Sequence, residues 1–291
     1  MKTLTVISGK GGTGKTSIVA SFASLANNKI LADCDVDAAN LHLLLHPEVK
    51  KSFNFKGGKL AIIDKEKCTK CGKCEKICQF EAIKDFTVDP ISCEGCSLCM
   101  HICPVSAIKI QEKITGWVYV SDTKYGPMVH AKLGIAEGNS GKLVTQVRTT
   151  AEEVAREKGA EIILIDGSPG IGCPVIASLT GADLALIVTE PTLSGISDLE
   201  RVGEVCNHFN IPWVVCINKF DINEENTAKI QAECNQRGIK VVGKIPFDVN
   251  FIHALVNNIP LIEYSSNKSS SEVKKMWEEI LDILIKYKKH S

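Results

Sequence analysis

The sequence has no excess charge of either sign. Its 34 Lys and Arg face 34 Asp and Glu. No basic footprint for nucleic acid therefore appears at the level of the whole chain, and nucleic acid is not expected as a partner. Long apolar runs are also missing, because none approaches the length that spans a bilayer. Membrane is not expected as a partner either. There is no leader pattern: Met1-Lys2-Thr3-Leu4 runs straight into an apolar stretch. That start predicts a cytoplasmic protein. Aromatic residues make up only 5% of a chain that is 44% hydrophobic, so the core must be mainly aliphatic. The 291 residues allow one large α/β domain and a small extra module.

Cysteine is plentiful. Eight of the 13 cysteines lie between Cys68 and Cys103, and Cys34, Cys173, Cys206, Cys216 and Cys234 are scattered. A disulfide framework suits a short secreted domain, which the absent leader argues against. The clustered cysteines are expected to bind metal as thiolates in a reducing, oxygen-poor setting.

Apolar β-rich runs alternate with helical stretches. Strands are predicted over Leu4–Ser8, Ile30–Ala32, Ile162–Asp166, Leu184–Val188, Trp213–Asn218 and Val241–Ile245. Helices are predicted over Ser17–Ala26, Ala151–Lys158, Ile196–Phe209 and Glu225–Arg237. Near-continuous apolar strands fit a parallel sheet covered on both faces, hence a doubly wound, mostly parallel α/β fold. From residue 63 to 114 the pattern breaks into short strands and one- or two-turn helices around cysteines. The expected organisation is a main domain over 1–62 and 115–291, with an inserted module over 63–114. The insert repeats itself: Cys68, Cys71, Cys74, Cys78, Ala82 and Ile83 recur 25 residues later as Cys93, Cys96, Cys99, Cys103, Ala107 and Ile108. A serine-rich stretch over 265–271 reads as a loop before the last helix.

Gly9-Lys10-Gly11-Gly12-Thr13-Gly14-Lys15-Thr16 satisfies G-x4-G-K-[ST], between an apolar strand and a helix. Backbone N–H groups of Gly11, Gly12, Thr13 and Gly14 should wrap phosphates. Lys15 should reach the β- and γ-phosphates, and the Thr16 hydroxyl should bind Mg²⁺. Lys10 gives the loop a K-G-G-T-G-K-T form that resembles the MinD/ParA family of P-loop ATPases, which includes the nitrogenase iron protein. The resemblance implies that Lys10 crosses a dimer interface to a partner's nucleotide, with ATP closing a homodimer. Asp33-Cys34-Asp35-Val36-Asp37 resembles the family's first switch, implying that Asp35 orients the attacking water. Asp166 ends an apolar strand and should hold Mg²⁺ through water. Residues 167–172 resemble the second switch, with Ser168 where proline is commoner. Asn218-Lys219-Phe220-Asp221 follows a strand and is expected at the base. The same string resembles the guanine-reading motif of GTPases. The loop argues for ATP, with Asn218 and the backbone near Pro246 at the adenine.

Cys68-x2-Cys71-x2-Cys74-x3-Cys78 and Cys93-x2-Cys96-x2-Cys99-x3-Cys103-Pro104 each resemble the run of bacterial ferredoxins. The resemblance implies two [4Fe–4S] clusters in an α+β ferredoxin-like insert. One takes Cys68, Cys71, Cys74 and Cys103; the other takes Cys93, Cys96, Cys99 and Cys78. Zinc is the competing ligand for C-x2-C pairs. Gln79 stands where the run usually has proline. ATPases of the MinD superfamily carrying such an insert resemble the chain from end to end, Leu133–Lys142 included.

Cys173 stands where the nitrogenase iron protein has a cluster ligand, but the second cysteine of that pair has no counterpart. A buried thiol is expected instead. Cys34 should be blunted by the adjacent carboxylates. Val273, Met276, Trp277, Ile280, Leu281, Leu284 and Tyr287 share one helical face, expected to pack on the main domain. The expected function is an ATP-hydrolysing dimerisation switch coupled to electron transfer with an unidentified redox partner. The alternative is an ATP-gated carrier delivering a cluster or metal cofactor to an accepting protein.

Overall fold

The computed structural model describes residues 1–134, 137–138 and 140–286. Ile135, Ala136 and Asn139, within the Leu133–Lys142 resemblance, and Tyr287 of the last helix lie outside the described residues.

The alternation of strand and helix is realised in chain order. The elements are β1 (Lys2–Ser8), α1 (Lys15–Leu25), β2 (Lys29–Asp33), α2 (Leu41–Leu45), β3 (Glu48–Phe55), β4 (Gly58–Ile63) and α3 (Lys73–Ile77). Next come β5 (Ile83–Lys84), β6 (Thr87–Val88), α4 (Leu98–Ile102), β7 (Ile108–Lys113), β8 (Gly116–Thr123) and β9 (Gly126–Leu133). The rest are α5 (Ser140–Lys158), β10 (Ile162–Pro169), α6 (Cys173–Leu179), β11 (Leu184–Thr189), α7 (Leu193–His208) and β12 (Trp213–Asn218). The chain ends with α8 (Glu224–Gln236), β13 (Val241–Ile245), α9 (Asn250–Val256), α10 (Leu261–Tyr264) and α11 (Lys268–Lys286).

Nine strands form one sheet in the order β13-β12-β11-β1-β10-β2-β9-β8-β3. Pairing is parallel from β13 through β9. The fold is thus α/β around a large, mostly parallel sheet. Alternate residues of the central strands feed two cores. Leu4, Val6, Leu164 and Leu186 pack with Ile18 and Phe22 of α1 and Met276 and Ile280 of α11. Ile7, Ile187, Val215 and Ile217 pack with Val175 of α6, Leu199 and Val202 of α7 and Ile230 of α8. The apolar face of α11 is therefore buried, and Trp277 stacks on Phe22 with ring centroids 4.9 Å apart.

Three strands were not anticipated. β3 is almost wholly exposed and carries Lys50 and Lys51, so it lacks the apolar signature of a central strand. β8 and β9 are joined by the two-residue turn Lys124–Tyr125. α5 begins at Ser140 rather than Ala151, because Leu143, Val144 and Val147 bury against the sheet at helical spacing. No described helix is long and apolar enough to cross a membrane.

The chain divides into two compact units. The first comprises 1–52, 118–131 and 140–291; the second comprises 53–117 and 132–139. The second unit is thus wider than the 63–114 stretch singled out by composition. In it β4 and β7 pair antiparallel from Gly58↔Lys113 to Ile63↔Ile108, and β5 pairs with β6. The 25-residue repeat is visible in the backbone. Lys70 and Gly95 have φ of 55° and 63°, Gly72 and Ser97 of 72° and 70°, Glu81 and Ser106 of 49° and 50°. Its apolar core is small, with Ala61, Cys74, Ile83, Cys99 and Ile108 as the buried members.

Candidate functional site

At the end of β1 the backbone turns through residues 9–14 into α1, and Gly14, with φ 89°, precedes its first residue, Lys15. A side chain at Gly14 would be strained at this φ. Its Cβ would also lie 2.5 Å from the Asn218 amide nitrogen. That closeness lets Asn218 Nδ2 donate to the Thr13 carbonyl at 2.7 Å, tying β12 to the loop. Residues 11–17 line an open recess of about 1130 Å³, with Asp35, Pro169 and Asn258 on its walls.

Lys15 is buried, with its ammonium bonded to Asp166 and 3.5 Å from Asp35 Oδ2. Burial works to lower its pKa, but Asp166, Asp35 and Asp33 together hold it above the ordinary value. Asp33 is pushed well above the usual carboxylate range by burial first and by Asp166 next, against the pull of Lys15. Its two oxygens accept from the N–H groups of Asp35 and Leu41, at 3.1 and 3.3 Å. Burial also raises Asp35. Asp37 is exposed. The second oxygen of Asp166 and the Thr13 hydroxyl are buried without a hydrogen-bond partner. A buried carboxylate oxygen left open beside the Lys15 ammonium, with Thr16 on the recess lining, fits a hydrated cation, which would satisfy it.

Ser168 takes a part that proline could not. Its hydroxyl donates to the Cys34 carbonyl at 2.7 Å, and Cys34 N–H donates to the Asp166 carbonyl at 2.8 Å, so the two candidate switches are stitched together. The Cys34 thiol is raised chiefly by burial, with Asp33 and Asp166 adding to it. The buried thiol expected at Cys173 is a misreading. Cys173 is exposed, because it opens α6 at the end of a glycine-rich turn rather than lying on a strand.

Lys10 is folded back onto its own chain. Its ammonium donates to Thr192 and Ser194 hydroxyls at 3.2 Å each and lies 3.5 Å from Glu190 Oε2. Lys219 reaches the other oxygen of Glu190 at 2.5 Å. Glu190, which follows β11, was not singled out from sequence; an isolated carboxylate after a strand carries no local signal. Asp221 accepts from the Phe247 N–H at 2.6 Å, and Asn223 caps α8. Asn218 and the half-buried Pro246 lie outside the lining of the recess.

The eight clustered thiols, all free, divide between two recesses in the second unit. Cys68, Cys71, Cys74 and Cys103 line one of about 320 Å³. Cys93, Cys96, Cys99 and Cys78 line another of about 450 Å³. The fourth cysteine of each run thus lies in the other run's recess. It is aimed by the short helix before it and receives a backbone N–H: Ala82 to Cys78 Sγ at 3.4 Å and Ala107 to Cys103 Sγ at 3.2 Å. Among the described residues no three His, Cys, Asp or Glu converge on a single metal ion. Four thiols spread around a void suit a polynuclear group better than one tetrahedral ion.

The model of the CobQ/CobB/MinD/ParA nucleotide-binding domain matches residues 4–261. The chain belongs to this family. An uncharacterized protein of Methanocaldococcus jannaschii is 36% identical over 97% of both chains. The MinD septum site-determining protein of Pyrococcus horikoshii, solved with Mg-ADP, superposes with a TM-score of 0.59 at 16% identity, covering 97% of this chain and 96% of that one. That likeness is one of fold. An iron-sulfur cluster carrier protein of Pyrococcus abyssi is 24% identical over 50% of this chain and 53% of its own.

Proposed function

We propose that the protein binds and hydrolyses ATP as a dimerisation switch, and that a ferredoxin-like module inserted in it carries two [4Fe–4S] clusters for electron transfer with a partner protein. The observation that carries this reading is the sorting of eight thiols into two sets of four, on a chain that also holds a P-loop lysine between two buried carboxylates.

In the nucleotide site, N–H groups of Gly11, Gly12, Thr13 and Gly14 hold the phosphates. Lys15 leaves its carboxylates for the β- and γ-oxygens, where it neutralises developing charge. Thr16 and Asp166 would hold Mg²⁺, which offsets phosphate charge when bound; the open oxygen of Asp166 fits that part. Asp35 orients the attacking water. Lys10 exchanges Glu190 for the nucleotide of a second copy. Asp221 accepts from the Phe247 N–H through one oxygen, and it is the K-G-G-T-G-K-T form of the loop that favours ATP. Asn218 serves the base indirectly by fixing the loop at Thr13, with the backbone near Pro246 beside it. Each four-thiolate set would hold one cluster, which takes up and returns one electron. Eight deprotonated thiolates need a reducing, cytoplasmic setting.

A second reading, an ATP-gated carrier of clusters, draws on the relative from Pyrococcus abyssi. Anoxic purification separates these readings. Electron transfer requires about eight iron and eight sulfide per chain, retained against a chelator. Release of that iron to a chelator on ATP addition favours the carrier. Zinc without sulfide sinks both. Tighter binding of GTP than ATP in a calorimetric titration overturns the nucleotide assignment. Asp35→Ala should bind ATP and trap the dimer without turnover.

A further inference from the structure

The potential of a four-thiolate iron–sulfur centre is set by cluster type, local charge, hydrogen bonds to sulfur and exposure. The internal repeat equalises most of these in the present chain. Each recess has four thiols and one backbone N–H donated to the crossing cysteine, at 3.4 and 3.2 Å. Cys74 and Cys99 are each 8% exposed, and Cys71 and Cys96 are both exposed. The helices that follow the loops, α3 and α4, start from matched left-handed residues.

Charge is what the repeat does not preserve. At equivalent positions Thr69 corresponds to Glu94, Lys70 to Gly95 and Lys73 to Leu98. Thr69 and Lys73 line the recess of Cys68, Cys71, Cys74 and Cys103. Glu94 and Leu98 line that of Cys93, Cys96, Cys99 and Cys78. One wall therefore carries an ammonium where the other carries a carboxylate. Neighbouring charges narrow the contrast, since Glu75, which accepts from the Phe86 N–H at 2.7 Å, acts on Cys74, and Lys59 packs against Gly95; neither is on the lining of a recess, where Lys73 and Glu94 are.

On the reading that these thiols hold [4Fe–4S] clusters, we infer that the two centres are unequal. The centre in the Lys73 recess takes the first electron, and the centre in the Glu94 recess is the harder to reduce. Reduction adds one negative charge to a centre, with no change of ligand or proton. The electron comes from a one-electron donor protein, or from dithionite in vitro. An ammonium on the wall favours that charge and a carboxylate opposes it. Both side chains are exposed, so solvent and salt reduce the effect. A change of about tenfold in the reduction equilibrium per residue remains, which is about 59 mV for one electron.

The test is a redox titration of the full chain followed by EPR, after iron and sulfide have been counted. The wild type should give two one-electron waves at least about tenfold apart. Lys73→Leu should lower the upper wave about tenfold and leave the lower one in place. Glu94→Thr should raise the lower wave. Each substitution installs the residue that the other half already carries. If either variant loses iron, Lys73→Gln and Glu94→Gln make the same comparison. A single shared wave in the wild type, or waves that none of the variants moves, overturns the inference. Absence of iron and sulfide in the wild type overturns the cluster reading instead, and is seen before any titration.

Discussion

The two units meet their ligands in opposite ways. The nucleotide recess holds its counter-charge before anything binds: Lys15 sits among Asp33, Asp35 and Asp166, while one Asp166 oxygen stays open. Its loop hangs on a large sheet with aliphatic cores on both faces. The thiol-lined unit has a small core cluster, Ala61, Cys74, Ile83, Cys99 and Ile108, and all five of these residues also line the recesses. A large domain can fund a preformed charged site from its core. A small one would lean on a group held by its thiols, as small metal-binding domains generally do.

The largest effect should come from stripping iron. Hydrogen exchange should then show loss of amide protection in β4 and β7 while β1 and β10 keep theirs. Persistence of β4–β7 protection in the iron-free chain would show that the unit stands on its own core. Next in size is Lys15→Ala. It should lower ATP hydrolysis by roughly a hundredfold or more. It should also cost the nucleotide-free protein about 3 kcal/mol, because it leaves buried carboxylates unpaired. Iron content should not change. A melting curve like that of the wild type would mean the carboxylates need no counter-charge.

A smaller effect tests whether the units communicate. Mg-ATP should shift the potential of at least one centre, with a coupling of about 1–3 kcal/mol, and reduction should change ATP affinity by the same amount. Lys10→Ala should weaken the shift by blocking dimerisation. Superimposable titrations with and without a non-hydrolysable analogue would make the units independent.

The smallest effect concerns His130, on β9. Its Nε2 lies 3.0 Å from the Ser121 hydroxyl, and Tyr119 stacks on its ring. Burial, with help from His42, lowers its pKa from 6.5 to about 4. A base depressed in the folded state contributes stability above its unfolded pKa and loses it as pH falls through the folded one. Wild-type stability should therefore fall by roughly 2 kcal/mol between about pH 6.5 and pH 4. His130→Gln should remove that slope. Parallel curves for the two proteins would mean that His130 titrates normally.

Much of the fold was legible because the central strands are apolar on both sides. Trp213–Asn218 and Val241–Ile245 occupy the predicted residues, and the other four central strands differ only at their ends. The P-loop was legible because its glycines and lysines are adjacent in sequence. The sheet's far edge was not. β3 is polar and exposed, and β8 and β9 lay between regions with stronger signals. The exposure of Cys173 and the pairing of Glu190 with both Lys10 and Lys219 depend on residues far apart in the chain.

By itself the sequence determined what is local: a phosphate-wrapping loop, a 25-residue cysteine repeat and the aliphatic strands of a parallel sheet. Adjacent residues determine backbone turns, and hydrophobic periodicity determines which face is buried. Tertiary structure decided what depends on distance and burial. It brought Asp33, Asp35 and Asp166 around one ammonium, left one oxygen of Asp166 open, and gave Ser168 a carbonyl to bind. It also set Lys73 and Glu94 on the walls of different recesses. Charge acts through space, so its partners are known only once the chain has folded.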